Sequence, residues 1–307
     1  LWPPGITCTS PGRQMMGSGS GFADIVNDNG GLYAGWDTPT LSLTGIDRSC
    51  DMYKYRVRVE GDCTPMKISD LAVLFVQTPP EIQLQPGNDT ICEYSNASFT
   101  VTATGMGLSY QWYESTNNGA SWMPLSDIGM YIGTATPSLN IFSVGRSYDG
   151  NLYHVEISGT CGDPVTSVDV ILDVKTAPEI LIYPENTTVC VGNPATFELE
   201  AEGSELVYRW QVNDGVSGFT DINPANPAYS GADSESLTLL SAALSQNGYS
   251  YRAIVSGTCT PPATTPPVIL LVNSNPEITS QPVNRSICEN GTTNFSASAT
   301  GPDLVYQ

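Results

Sequence analysis

Apolar and polar residues alternate along residues 98–103, placing Phe99, Val101 and Ala103 on one face of an extended chain. That period of two predicts a strand with one side buried. Residues 109–113, 138–141 and 152–158 predict three more strands, and the β-rich run 165–174 closes the set. Gly, Pro, Asn and Asp punctuate these runs at short spacing, and no helical period of 3.6 competes. The expected fold class is all-β, built from sandwiches.

The pattern returns 98 residues later with Phe197, Leu199, Ala201, Trp210, Leu237, Leu239 and Tyr251. It begins again with Phe295, Ala297, Ala299 and Leu304. Cys92, Cys190 and Cys288 keep the same step, as do Cys63, Cys161 and Cys259. So do Trp112 and Trp210, Tyr110, Tyr208 and Tyr306, and Pro-Glu-Ile at Pro80, Pro178 and Pro276. A fixed period held by independent markers is a tandem array of one structural unit. The expected domains are 1–79, 80–177, 178–275 and 276–307. In the first, Tyr33, Pro39, Leu41 and Tyr55 match Tyr131, Pro137, Leu139 and Tyr153. Upstream of Tyr33 the register fails, and residues 3–29, rich in Gly, Ser and Asp, read as a long surface loop after Trp2. Linkers 77–79, 175–177 and 273–275 are short and closed by Pro, which restricts bending. Leu1 is not an initiator Met, and Gln307 stops where the counterpart of Trp112 would come next. The chain is therefore expected to be a window onto a longer array.

Composition narrows the function classes. The 307 residues carry a net charge of −20, with only 11 Lys and Arg, so nucleic-acid phosphates would be repelled. No apolar run approaches the roughly 20 residues needed to span a bilayer, and no signal peptide is visible. Eight cysteines on a repeat lattice point to disulfides in an oxidising compartment. Zinc is disfavoured, because there is no CxxC and His154 is the only histidine.

Residues 80–177 resemble an immunoglobulin-like domain. Trp112 stands where the buried strand-C Trp belongs, and Leu139-x-Ile141, Asp149-Gly150 and Tyr153-x-Val155 look like strand E, the E–F turn and the tyrosine corner. The positions of the antibody inter-sheet cysteines are Val101 and Val155 here, and Leu199 and Ala253 one repeat later. The core is expected to be apolar, centred on Phe99, Trp112, Tyr153, Phe197, Trp210 and Tyr251, with Tyr110 also inside. More narrowly, several features resemble the Ig-like repeats of large cell-surface adhesins of gliding Bacteroidetes, exported by type IX secretion. These are Cys92-Glu93 ahead of Phe-x-Val-x-Ala, Tyr110-Gln-Trp-Tyr, Asn118-Gly-Ala-Ser-Trp122, Tyr131-x-Gly and Ile157-Ser-Gly-Thr-Cys161. The resemblance implies a bacterial cell-surface setting.

In an Ig topology the turn before strand B and the F–G turn lie at opposite ends of a sandwich roughly 30 Å long, whereas bonded cysteines have Cα atoms about 6 Å apart. That favours an inter-domain bond, Cys92–Cys259. Intradomain pairing, Cys92–Cys161 and Cys190–Cys259, stays open. In the first scheme Cys190 and Cys288 pair beyond Gln307, and Cys63 and Cys161 before Leu1. Cys8 and Cys50 have no counterparts in other repeats and are expected to bond to each other.

Candidate chemistry is sparse. His154 alternates to the solvent face of its strand and lacks an evident partner for general-base work. Asp24 and Asp28, with Asn27 and Asn29, are weak calcium candidates, because their spacing fits no EF-hand and a solvated turn explains them better. The sequons at Asn88, Asn186 and Asn284 recur on the period, with others at Asn96, Asn290 and Asn294. They are glycan sites in a eukaryotic secreted protein, or polar turns ahead of a strand in a bacterial one. Trp36 or Trp122 could serve as a sugar platform. No catalytic residue or cofactor is expected, calcium apart. The partners expected are neighbouring repeats, other copies in a filament, and surface polysaccharide or protein ligands, without nucleic acid or membrane contact. The function expected is a non-catalytic stalk, filament or adhesin at the cell surface. Two alternatives are a eukaryotic-type Ig adhesion or receptor ectodomain and a non-catalytic arm of a secreted hydrolase.

Overall fold

A computed structural model describes residues 25, 30–59 and 65–307. They fall into two compact units: Leu1–Asn88, Ser98–Asn140 and Leu152–Ile171, and Asp89–Ala97, Ile141–Asn151 and Leu172–Gln307.

The second unit contains one complete sandwich. Its larger sheet runs in the order Thr187–Cys190, Val268–Asn273, Ser250–Ser256, Val207–Asn213, Phe219–Asp221, with Ala263–Thr264 also on Ser250–Ser256. The facing sheet is Ala195–Glu198, Ser236–Leu239, Tyr229–Ser230. Glu179–Ile182 pairs with Glu200–Glu202. Strict alternation makes these strands amphipathic. In Ser250–Ser256, Tyr251, Ala253 and Val255 are buried while the residues between them are not. Phe197 joins Trp210 and Tyr251, with ring centroids 6.3 and 4.7 Å away. Leu237, Leu239, Leu270 and Val272 close the core around them. Each such side chain removed from water stabilises the fold by about 1.5–3 kcal/mol.

The first unit holds part of the same plan one step earlier. Ser109–Ser115 and Leu152–Ser158 form an antiparallel ladder with Trp112 opposite Val155. Phe99 lies 6.3 Å from Trp112 and 5.0 Å from Tyr153. All six expected core aromatics are at most 1% exposed. The hydrophobic stand-ins for the inter-sheet cysteines, Val101, Val155, Leu199 and Ala253, are buried as well. Among residues 30–59 and 65–79 only two-residue strands form, such as Tyr33–Ala34 with Ser42–Leu43.

Two expected strands are divided, each for a local reason. The run 98–103 breaks at Val101, whose N–H turns to Pro137 O at 3.0 Å. The run 165–174 splits into Val165–Thr166 and Val170–Lys175 around Ser167. There the Val155 N–H donates to Ser167 Oγ at 3.0 Å, and the Ser167 N–H returns to Val155 O at 2.9 Å. Thr265 does the same for Ala253, and Ser69 for Val57. At Ser167 and Thr265, which are buried, the hydroxyl thus takes the place of a ladder bond that the break in the strand would orphan.

A second device recurs in three repeats. Asp149 Oδ1 accepts the Val174 N–H at 2.8 Å, Asn247 Oδ1 the Val272 N–H at 2.9 Å, and Asp51 Oδ1 the Val76 N–H at 2.8 Å. Only an acceptor oxygen is needed, so Asp and Asn are interchangeable there.

A stapled joint as candidate functional site

The strand Asp89–Cys92 lies parallel to Val170–Lys175, with Cys92 opposite Lys175. The Glu93 N–H caps this pairing on Lys175 O at 2.8 Å. From Lys175 the chain passes directly into the linker. The Thr176 N–H donates to Ser204 Oγ at 3.0 Å, and the Ser204 N–H returns to Thr176 O at 3.2 Å. The Thr258 N–H then bonds to Ser204 O at 3.1 Å, and its hydroxyl to Glu205 Oε2 at 2.8 Å. The linker is therefore held by two turns of the following repeat, and one of those turns carries Cys259.

Gly257 explains the close fit, since a Cβ there would stand 2.6 Å from Ser204 O. Gly203, at φ +146, backs onto Pro178 in the same way. The scheme repeats at the preceding linker, where the Met106 N–H reaches Thr78 O at 3.1 Å and the Thr160 N–H reaches Met106 O at 2.9 Å.

Across this joint Cys92 is bonded to Cys259, with Cα atoms 5.8 Å apart at a sequence separation of 167. Cys259 is buried. Cys161, Cys190 and Cys288 are free thiols, so the intradomain pairs Cys92–Cys161 and Cys190–Cys259 are not formed. Register gives the reason in residues 178–275. Cys190 stands opposite Asn273, whereas Cys259 follows Ser256, at the far end of a strand whose Ser250 faces Ile269. The two thiols lie at opposite ends of the sheet, roughly 30 Å apart at about 3.4 Å per residue. Cys50 is fully buried and disulfide-bonded; its expected partner Cys8, and Cys63, lie outside the described residues.

An open cleft of about 390 Å³ runs along the joint, lined by Glu93, Arg146, Thr176, Ala177, Pro178, Glu179 and Glu202. Glu93 Oε1 is engaged there by the Arg146 N–H at 3.1 Å. Lys175 bonds Asp173 at 3.1 Å, and this contact, with a smaller contribution from Glu205, raises its pKa. The joint is thus a polar, net-acidic surface around a covalent link, with three glutamates against one arginine along the cleft and no nucleophile–base pair. Among the described residues no group of three His, Cys, Asp or Glu is gathered to hold a metal. The calcium candidates Asp24 and Asp28 lie outside those residues.

The remaining candidates fall elsewhere. His154 is more covered than strand alternation alone predicts. Trp122 lies against its ring at 4.0 Å and Tyr113 at 5.2 Å, and Nδ1 meets Asp169 Oδ1 at 3.2 Å, leaving the side chain 13% exposed. Trp122 is consequently half-buried over the histidine, while Trp36 remains 44% exposed. Tyr110 and Tyr208 are half-buried at the margin rather than in the core. The Tyr208 hydroxyl reaches Glu235 at 2.9 Å, and partial desolvation followed by that contact pushes its pKa up to about 12. Tyr153 donates to Glu114 Oε1 at 2.7 Å, a carboxylate that also receives Tyr131.

The sequons have a structural role that was not visible beforehand. Asn88 Oδ1 accepts the Ile171 N–H at 3.0 Å, and Asn186 Oδ1 the Ile269 N–H at 2.8 Å. Asn284 is exposed. Asp149 was expected only as part of the E–F turn; its capping role, shared with Asp51 and Asn247 on a 98-residue step, was not foreseen.

No protein-family model and no curated protein matches the chain. Among solved structures it is similar to the I-band fragment I67–I69 from titin, with TM-score 0.54 and 17% identity over 67% of this chain and 70% of that one. It is likewise similar to an E-to-A variant of the titin domains I67–I69, with TM-score 0.54 and 16% identity over 75% and 78%. These likenesses establish the class: a tandem of immunoglobulin-like β-sandwich domains. Among the described residues no helix is long and apolar enough to cross a membrane.

Proposed function

We propose that this chain is a stretch of a tension-bearing, non-catalytic array at the surface of a bacterial cell, serving as stalk, filament or adhesin. The Cys92–Cys259 bond is the observation that supports it most. A disulfide that joins neighbouring repeats adds little to a solitary binding module, but it blocks extension of everything between its ends. It also belongs to an oxidising compartment. The net charge of −20 keeps such an array soluble, and the hydrogen-bonded linkers limit its bending. The repeat boundaries expected from the sequence, 80–177 and 178–275, are the units of this array. The resemblance to gliding Bacteroidetes adhesins supports the bacterial setting, export by type IX secretion, and surface polysaccharides or proteins as ligands. A eukaryotic-type adhesion ectodomain is the second reading, because the periodic sequons suit it.

The test is to label intact producing cells with an antibody against residues 80–275, and to delete the reading frame. Surface labelling and impaired attachment, with growth unchanged, are expected. Labelling only after lysis would overturn the proposal. Mass shifts of N-glycans on Asn88 or Asn186 would favour the eukaryotic reading instead.

A further inference from the structure

We infer that Cys190 is one half of a second joint of the same kind, its partner being the cysteine in the corresponding turn of the repeat that opens at Pro276. The inference rests on the tandem-array reading above. Four observations carry it.

The first is placement. Thr187–Cys190 runs parallel to Val268–Asn273 with Cys190 opposite Asn273, as Cys92 stands opposite Lys175. The Val191 N–H caps the pairing on Asn273 O at 2.9 Å, as the Glu93 N–H caps the other on Lys175 O at 2.8 Å. The backbone therefore presents Cys190 at the same end of its sheet and in the same register as the cysteine already bonded.

The second is accessibility. Cys190 is an exposed free thiol, and nearby Leu244, the counterpart of Arg146 in the made joint, is 51% exposed.

The third is the receiving side. Glu277–Ser280 pairs with Ser298–Thr300, with the same register shift seen where Glu179–Ile182 pairs with Glu200–Glu202. Gly301, at φ +141, backs onto Pro276 as Gly203, at φ +146, backs onto Pro178. The repeat that follows Cys190 thus opens on the same linker with the same seat.

The fourth is that the turn half keeps its geometry without a bond. Cys161 is free, yet its turn is pinned by the Thr160 N–H on Met106 O at 2.9 Å, matching Thr258 on Ser204 at 3.1 Å. Each half is built before it is joined, so closure costs little reorganisation.

Closing the joint removes one proton and one electron from each thiol and forms one S–S bond. Both electrons pass to a disulfide oxidant by thiol–disulfide exchange, which releases two thiols from that oxidant.

The experiment is a non-reducing peptide map of the full-length natural polypeptide, with free thiols alkylated before lysis. The expected result is Cys190 linked to a cysteine 167 residues further along, the separation of Cys92 from Cys259. A Cys190→Ser chain should lose that cross-linked peptide and keep Cys92–Cys259. Alkylated Cys190, or Cys190 bonded elsewhere, beside an intact Cys92–Cys259 would overturn this inference and leave the array reading standing. Loss of Cys92–Cys259 as well would remove both.

Discussion

Cys92 and Cys259 are covalently joined at a sequence separation of 167, and the bond spans the linker between two successive repeats. Any force along the chain must therefore pass through the sulfur atoms instead of unravelling the residues between them. Under pulling, the oxidised chain should hide the stretch between them, and reduction should release about 550–600 Å of extra contour length at about 3.3–3.6 Å per residue. Cys259→Ser should show the longer extension under both conditions. Equal contour lengths before and after reduction would show that the bond does not bear the load. At equilibrium the cross-link is worth at most about 5 kcal/mol in the chain-entropy model. Its mechanical effect is the larger one.

Asp149 offers a test with a built-in control. Its Oδ1 satisfies the half-buried Val174 N–H at 2.8 Å, and Asn247 performs the same task for Val272. Asp149→Asn should thus leave stability within about 0.5 kcal/mol of the parent, whereas Asp149→Ala should cost about 1–3 kcal/mol by stranding a donor. Chemical denaturation followed by Trp112 fluorescence reports the difference. If Asn and Ala were equally damaging, the charge of Asp149 and not its acceptor oxygen would be what matters.

The Asp127 carboxylate adds a pH-dependent term. It accepts the Thr134 hydroxyl at 2.7 Å and the Thr134 N–H at 2.8 Å, and these bonds, the hydroxyl first, lower its pKa. A carboxyl whose folded pKa is depressed contributes stability above its unfolded pKa and loses it as pH falls through the folded one. Unfolding midpoints should therefore decline on acidification below about pH 4. Part of that decline should vanish in Asp127→Asn. Identical pH profiles for parent and variant would exclude the turn at Asp127 as a contributor.

The sequence made the fold legible because the repeat sampled each signal more than once. Trp112 and Trp210, Phe99 and Phe197, and Tyr153 and Tyr251 are core residues whose common step and strand alternation announce them. The staple was also within reach, because strand direction alone separates Cys190 from Cys259. What stayed hidden depends on side chains meeting across the fold. Nothing near His154 in sequence signals Trp122 packing against it or Asp169 bonding to it. The sequons at Asn88 and Asn186 give no sign in sequence that Ile171 and Ile269, 83 residues away, each donate to one of their side-chain oxygens. Tyr110 shares the 98-residue step and still sits at the margin, since recurrence reports a conserved position along the chain and not depth.

Gly133 fixes the loop that satisfies the core tryptophan, and this leads to a last prediction. It holds φ +87, and a Cβ there would run into the carbonyl oxygen of Ser138. Gly231 and Gly35 stand the same way against Ser236 and Thr40. The loop matters because Thr136 O, two residues before Ser138, receives the Trp112 Nε1–H at 3.0 Å. Gly129, at φ +68, has nothing within 4 Å of where a Cβ would be. Alanine at Gly129 should therefore cost only the roughly 1–2 kcal/mol of a left-handed backbone. Alanine at Gly133 adds displacement of the Ser138 carbonyl and of the Trp112 acceptor, a further 1–3 kcal/mol or so. Denaturant midpoints for Gly129→Ala and Gly133→Ala, read through Trp112 emission, separate the two contributions. Equal shifts would mean that backbone strain alone explains the glycine and that the Tyr131-x-Gly pattern owes nothing to the tryptophan.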